Sequence, residues 1–264
     1  MSKGCEGIAA EGADAGSESR RDVGVLAVID STDASKAGRA PVLEEDALVL
    51  ALTRRFRTAI QDATVGDHTF SILKPANPDD LIREEDFVRD ERLPYWADVW
   101  PSSIILAEKL LELRGGGQAA LELGCGVGLS TLAATSAGFD VLATDYYEDA
   151  LDVTRANVFR NLGTIARTRL VDWRHLPEDL GSFDLVFASD VLYENEYAQL
   201  FPVILERLLT PLGFGLIADP GRVAAPTFVE ACAEHGLAIR EKQTRSFEAG
   251  EIKQRIDIYE IGRA

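Results

Sequence analysis

The chain has 264 residues, with 27 Lys plus Arg against 44 Asp plus Glu and a formal net charge of −17. Hydrophobic residues make up 46% of it, which is enough for a buried core in one large domain or two small ones. The acidity disfavours a general nucleic-acid binder, because phosphate contacts need clustered Lys and Arg, and it disfavours docking on anionic membranes for the same reason.

The three cysteines, Cys5, Cys125 and Cys232, are sparse and irregularly spaced. They form neither a disulfide framework nor a zinc motif, so a reducing compartment is expected. His68, His175 and His235 match no metal-ligand spacing, and no metal site is expected. No apolar run approaches the ~18 residues of a membrane span. Arg20-Arg21 precedes a short apolar run, Val23–Ile29, but Asp22 and Asp30 bracket it and no small-residue cleavage site follows. A cytoplasmic location is expected.

Residues 1–40 are nearly half Gly, Ala and Ser, and the first aromatic is Phe56. Such a segment buries too little apolar surface to offset its ordering entropy, which predicts a disordered tail. Leu43–Ile60 carries apolar residues at helical spacing behind Glu44-Glu45-Asp46, acids suited to a helix start. His68–Lys74 alternates as a strand does, and Asn77-Pro78-Asp79-Asp80 is expected to open a helix to about Arg89. Residues 41–101 are therefore expected to form a small N-terminal helix and strand extension.

From residue 102 to 264 the pattern is regular. Helices are expected at Ile104–Leu113, Leu129–Ala137, Glu148–Leu162, Glu196–Leu209 and Pro226–His235. Strands are expected at Ala119–Leu123, Asp140–Thr144, Thr168–Val171, Phe183–Ala188 and Gly213–Ala218, with two alternating runs, Leu237–Arg245 and Ile252–Ile261, at the end. Strands alternating with helices indicate an α/β fold, a mostly parallel sheet with helices on both faces; the closing pair suggests an antiparallel hairpin at one edge.

Leu121-Glu122-Leu123-Gly124-Cys125-Gly126-Val127-Gly128 follows the first sheet strand and opens a helix. Glycine there lets the backbone turn sharply and come close to a ligand. The pattern is G-x-G-x-G, not the dinucleotide G-x-G-x-x-G, which argues against a dehydrogenase. Glu122 would oppose a diphosphate and suits a cationic amino-acid head group. Asp145, at the end of the next strand, can accept both ribose hydroxyls; it could instead cap the following helix. Asp172-Trp173 closes the third strand. Asp172 could accept from an adenine amino group, while Trp173 supplies apolar surface or core packing. Cys125 reads as a small buried residue.

The segment from about Leu93 to Ile261 resembles a class I, seven-β-strand S-adenosylmethionine-dependent methyltransferase with a Rossmann-like sheet. Glu122–Gly128 is similar to that superfamily's first motif and Asp145 to its ribose acid. Pro94-Tyr95-Trp96-Ala97-Asp98-Val99-Trp100-Pro101 and Asp190-Val191-Leu192-Tyr193 are similar to the Trp-Pro and D-x-x-Y patches of the protein-lysine methyltransferases. Asp219-Pro220-Gly221-Arg222 is similar to the subgroup acting on the electron-transfer-flavoprotein β-subunit, and to its bacterial relatives.

The resemblance implies S-adenosyl-L-methionine as cofactor, Trp100 in contact with it, and a protein partner bearing an exposed lysine. Asp190 would orient the incoming amine and Tyr193 would wall its channel; alternatively Asp190 caps the next element and Tyr193 packs beneath it. Trp96 is placed on the substrate side or in a hydrophobic seam with Trp100, and Arg222 could pair with an acid near the site. Rival readings are an N-methyltransferase of a small amine or heterocycle, a nucleic-acid methyltransferase, and a non-catalytic protein that keeps the fold. Two acidic stretches, 78–98 with a net of −5 and 178–206 with a net of −7, are expected to form an acidic mouth for a cationic substrate; the alternative is a solvated surface.

Overall fold

The computed structural model describes residues 44–82 and 93–264. The tail expected at 1–40 lies outside the described residues, as does most of the helix expected after Asn77. What is described there is one short 3-10 turn, Pro78–Leu81, capped by the Asn77 side chain.

Helix α1 spans Glu44–Thr53 and is followed by a hairpin of β1, Thr58–Val65, and β2, His68–Pro75. The helix expected to reach Ile60 thus ends seven residues early. Thr58-Ala59-Ile60-Gln61-Asp62-Ala63-Thr64-Val65 alternates and is rich in β-branched residues. Pairing with β2 therefore overrides the helical spacing that Phe56 and Ile60 extend. Gly66, at φ 56, starts the two-residue loop, the position that requires glycine in a II′ turn.

The core then runs through α2 (Pro101–Leu111), β3 (Ala119–Leu123), α3 (Leu129–Ser136), β4 (Asp140–Asp145), α4 (Glu148–Leu162) and β5 (Arg167–Leu170). It continues through β6 (Phe183–Ser189), α5 (Asn195–Leu208), β7 (Leu209–Asp219), α6 (Ala225–Glu234), β8 (Leu237–Ala249) and β9 (Ile252–Arg263). The strand order is β5-β4-β3-β6-β7-β9-β8. Pairs from β5 to β7 are parallel, and β9 joins β7 and β8 antiparallel. The sheet has the seven strands and the terminal hairpin that the sequence implies.

Strand side chains alternate between faces, and here they divide one sheet between two cores. Ala120, Leu185, Phe187, Leu216 and Ala218 pack with α2, α3, α4 and the N-terminal hairpin. Leu121, Leu123, Val186, Ala188 and Ile217 pack with α5 and α6. Helices on both faces leave only the strand ends open. Among the described residues, no helix is long and apolar enough to cross a membrane.

Candidate functional site

The five parallel strands end at one edge of the sheet, and the order reverses between β3 and β6. Open α/β sheets bind ligands at such a switch point. A cavity of about 530 Å³ lies there, the size of a small-molecule site. Every site residue expected from the sequence except Gly128 lines it.

The loop after β3 is tied to β4, since Gly124 N and Cys125 N both donate to Thr144 O at 2.9 Å. Gly124, Gly126 and Gly128 have φ of 78, 54 and 85, the left-handed region that side chains rarely adopt. A Cβ on Gly124 would lie 3.0 Å from the Trp173 ring, one on Gly126 3.1 Å from Trp96 O, and one on Gly128 2.8 Å from Thr154 Oγ1. The glycines thus make room first for this chain's own Trp173, Trp96 and Thr154.

Glu122 is fully buried, and Thr131 Oγ1 donates to its Oε2. Burial is the main cause that pushes its pKa up to about 8, with Asp145 adding repulsion and Thr131 opposing the shift. Asp145 accepts from Gly126 N through Oδ2 and from Tyr147 N through Oδ1, both at 3.0 Å. Its carboxylate therefore braces the glycine loop against the entry to α4. Cys125 is buried beneath Thr154, whose Oγ1 lies 3.3 Å from its Sγ; burial raises the thiol pKa well above the ordinary value.

Asp172 caps the turn Trp173–His175. Its oxygens take Arg174 N, Nε and Nη2, each at 3.0 Å, and meet His175 Nδ1 at 3.3 Å. Burial opposes these contacts, yet they hold its pKa down at about 2. Trp173 packs edge-on to Tyr197 and Phe201, and its buried Nε1 has no hydrogen-bond partner.

On the other side of the mouth, Trp100 precedes the first turn of α2, and its Nε1 donates to Tyr95 O at 2.7 Å. Tyr95 lies 6.2 Å from both the Trp100 and the Tyr193 rings, so three partly exposed aromatics edge the opening. Trp96 does not share that rim: it is buried between Phe56 and Tyr147, with its backbone against Gly126. Asp98 pairs with Lys74 of β2, fixing the Trp-Pro segment to the hairpin.

Asp190 is the one non-glycine residue with positive φ among the described residues, at 58. Its N–H continues the β6–β7 ladder by donating to Ala218 O at 3.0 Å. The left-handed step then turns the chain at the cavity, a strain of order 1 kcal/mol that concentrates at functional sites. Arg222 Nε and Nη2 reach Asp190 Oδ1 at 3.0 and 2.5 Å. The acid near the site with which the sequence allows Arg222 to pair is thus Asp190.

The chain is similar to known proteins in sequence and in fold. A family model described as lysine methyltransferase matches residues 87–224. The electron transfer flavoprotein beta subunit lysine methyltransferase of Xenopus laevis is 33% identical over 49% of this chain and 53% of its own length. The protein N-lysine methyltransferase METTL21A of Danio rerio is 33% identical over 45% of this chain and 56% of its own. The histone-arginine methyltransferase METTL23 of Mus musculus is 34% identical over 39% and 43%. These matches span about half the length of the curated relatives. Among solved structures, the magnesium protoporphyrin IX methyltransferase of Synechocystis with bound SAM shares the fold, with TM-score 0.51, 18% identity, and coverage of 69% of this chain and 86% of that one.

Proposed function

The chain belongs to the lysine methyltransferase family, whose cofactor is S-adenosylmethionine, and on that premise we propose that it methylates a lysine side-chain amine of a protein. The single observation that carries the reading is Asp190. A left-handed backbone turns it at the cavity beside Tyr193, and only Oδ1 is engaged by Arg222.

The cavity fits the cofactor. Gly124 and Gly126 line it without side chains, Glu122 and Asp145 supply carboxyl groups at one end, and the Trp173 ring walls it beside Gly124. These residues and Trp100 are the ones that would hold it. The bound cofactor supplies the electrophilic methyl carbon, and the protein supplies orientation and charge.

A lysine amine must be neutral to attack, yet its ordinary pKa is ~10.4. Entry between Tyr95, Trp100 and Tyr193 strips water from the ammonium, which favours the neutral form. Asp190 Oδ2 accepts a hydrogen bond from the amine and aligns its lone pair. Asp190 is thus assigned to positioning the nucleophile, and Tyr193 to walling its path.

Incubation with methyl-labelled S-adenosylmethionine and a proteome extract tests the reading. Label recovered as methyl-lysine in protein, lost in Asp190→Ala with cofactor binding kept, is the expected result. Label confined to small molecules, or recovered as methyl-arginine or methyl-histidine, would overturn the lysine assignment. Full activity in Asp190→Ala would remove that residue's role.

A further inference from the structure

Arg222 stands in the loop between β7 and α6, and that loop is built to aim it. Asp219 Oδ1 accepts from Gly221 N and from Arg222 N, both at 2.8 Å. Gly221 has φ 83, which permits the turn. Asp219 is wholly buried, and its Oδ2 has no hydrogen-bond partner. Burial raises its pKa, and the nearby Asp190 raises it further. So costly an arrangement points to a demand for one particular placement of Arg222.

The contact that results is one-sided. Both Arg222 nitrogens converge on Asp190 Oδ1, and among the described residues no donor reaches Oδ2. Arg222 is also the one Lys or Arg that lines the cavity among the described residues. The acids sharing that cavity are Asp98, Glu122, Asp145, Asp172, Asp190 and Glu194. Lys74 answers Asp98 and Arg174 answers Asp172, so Arg222 is the cation that answers Asp190.

We propose that Arg222 is a positioning residue: it holds Asp190 by Oδ1, leaves Oδ2 for the methyl acceptor, and cancels the carboxylate charge so that the acceptor nitrogen reacts as a neutral amine. This rests on the lysine reading above. A bare carboxylate within about 4–6 Å would favour the ammonium and raise its pKa by roughly 1–3 units. Each unit removes about tenfold of the neutral amine near neutral pH. An ion pair in place of the bare carboxylate supplies the hydrogen-bond acceptor without that penalty. The other charged groups, Glu194 on the same segment and Asp219 behind the loop, are acids that would deepen the penalty if Arg222 were absent.

The test uses full-length Arg222→Gln and Arg222→Lys, with the protein that extract labelling identifies as acceptor. In Arg222→Gln the acid limb of the kcat profile should move up by about one pH unit. At pH 7.5 kcat should fall about tenfold, with KM unchanged or lower, since the ammonium is then held more tightly. Arg222→Lys keeps the charge and should recover most of the wild-type profile. A second readout needs no turnover: with S-adenosylhomocysteine present, calorimetry in two buffers of different ionisation heat counts the protons released as the acceptor binds. The wild type should release more than Arg222→Gln. Superimposable pH profiles, equal proton release, or an Arg222→Lys profile displaced as far as that of Arg222→Gln would each overturn the proposal. Methyl-lysine still formed by the wild type would confine that failure to Arg222; its absence would remove the lysine reading as well.

Discussion

Asn157 of α4 pairs with the backbone of Leu73 as a neighbouring strand would: Oδ1 accepts from Leu73 N at 2.7 Å and Nδ2 donates to Leu73 O at 2.8 Å. Asn161 repeats the pair with Ser71 N and O, at 2.8 and 3.0 Å. Four helical residues rise ~6 Å and two strand residues ~6.7 Å, so the two asparagines nearly match the strand repeat. They close the open edge of β2. Asn157 Nδ2 also donates to Val127 O at 2.8 Å, which joins the hairpin to the glycine loop. Asn157→Ala should cost about 3 kcal/mol in urea unfolding, because three buried backbone groups lose their partners. A loss below about 1 kcal/mol would show that the hairpin is held by packing alone.

The contrast between this contact and the sheet shows what was legible. Strands β3, β4 and β6 declare themselves because each is a short apolar run closed by a turn, and Glu148–Leu162 because Gly163 stops it. The strand ends then place Gly124, Asp145, Asp172 and Asp190 together without any knowledge of side-chain contacts. Asn157 and Asn161 gave no signal: polar residues inside a helix look like solvent-facing ones until a strand edge is known to lie beside them. For Arg222 the sequence allowed an acidic partner near the site but did not say which acid, for a related reason. A loop cation can point anywhere, and what aims it is the pair of backbone hydrogen bonds to Asp219. The helix expected to run to Ile60 failed where apolar residues satisfied both periods and cross-strand pairing decided between them.

Trp96, Trp100 and Trp173 are the chain's three tryptophans, and all line the cavity. Intrinsic fluorescence should therefore change as S-adenosylmethionine is titrated in. Trp173 has the buried unpartnered N–H and sits against Gly124, so its emission should respond most. Trp173→Phe should lose most of the signal, and Trp100→Phe should keep the larger part. A wild-type signal that stays flat at cofactor concentrations that support transfer would count against this cavity as the cofactor site.

Glu122 should make the unliganded protein less stable as pH rises. Its folded pKa of about 8 lies above the ordinary carboxylate value of 4.5, so the folded state holds a proton that the unfolded chain has released. That contribution is fully present below about pH 4.5 and is lost as pH rises through 8. Glu122→Gln keeps the shape without the ionisation. Its Tm advantage over the wild type should grow between pH 5 and pH 8, which paired thermal scans would read. Parallel curves for the two proteins would mean that Glu122 is ionised in the folded state across that range. The same variant should bind S-adenosylmethionine more weakly if the carboxylate meets a cationic head group.

The acidic mouth is narrower than net charge suggests. Asp98, Asp172 and Asp190 each have a cationic partner, and Glu122 is held protonated near neutrality. Asp145 is turned inward against the glycine loop, and Glu84, Glu85, Asp86, Asp90 and Glu91 lie outside the described residues. Glu194 and Glu196 are exposed on the segment that follows Tyr193, with no ion-pair partner among the described residues. If the acceptor is a lysine-bearing protein, as proposed, these two acids would draw it toward the opening. The Debye length shrinks from about 10 Å at 0.1 M salt to about 3 Å at 1 M. For a cationic protein acceptor, kcat/KM should therefore fall with salt by an order of magnitude or so, while kcat holds steady. Glu194→Gln with Glu196→Gln should lose several-fold in kcat/KM at low salt and almost nothing at 1 M. If the double variant and the wild type share one salt dependence, steering comes from elsewhere on the surface, and these two glutamates are only solvated.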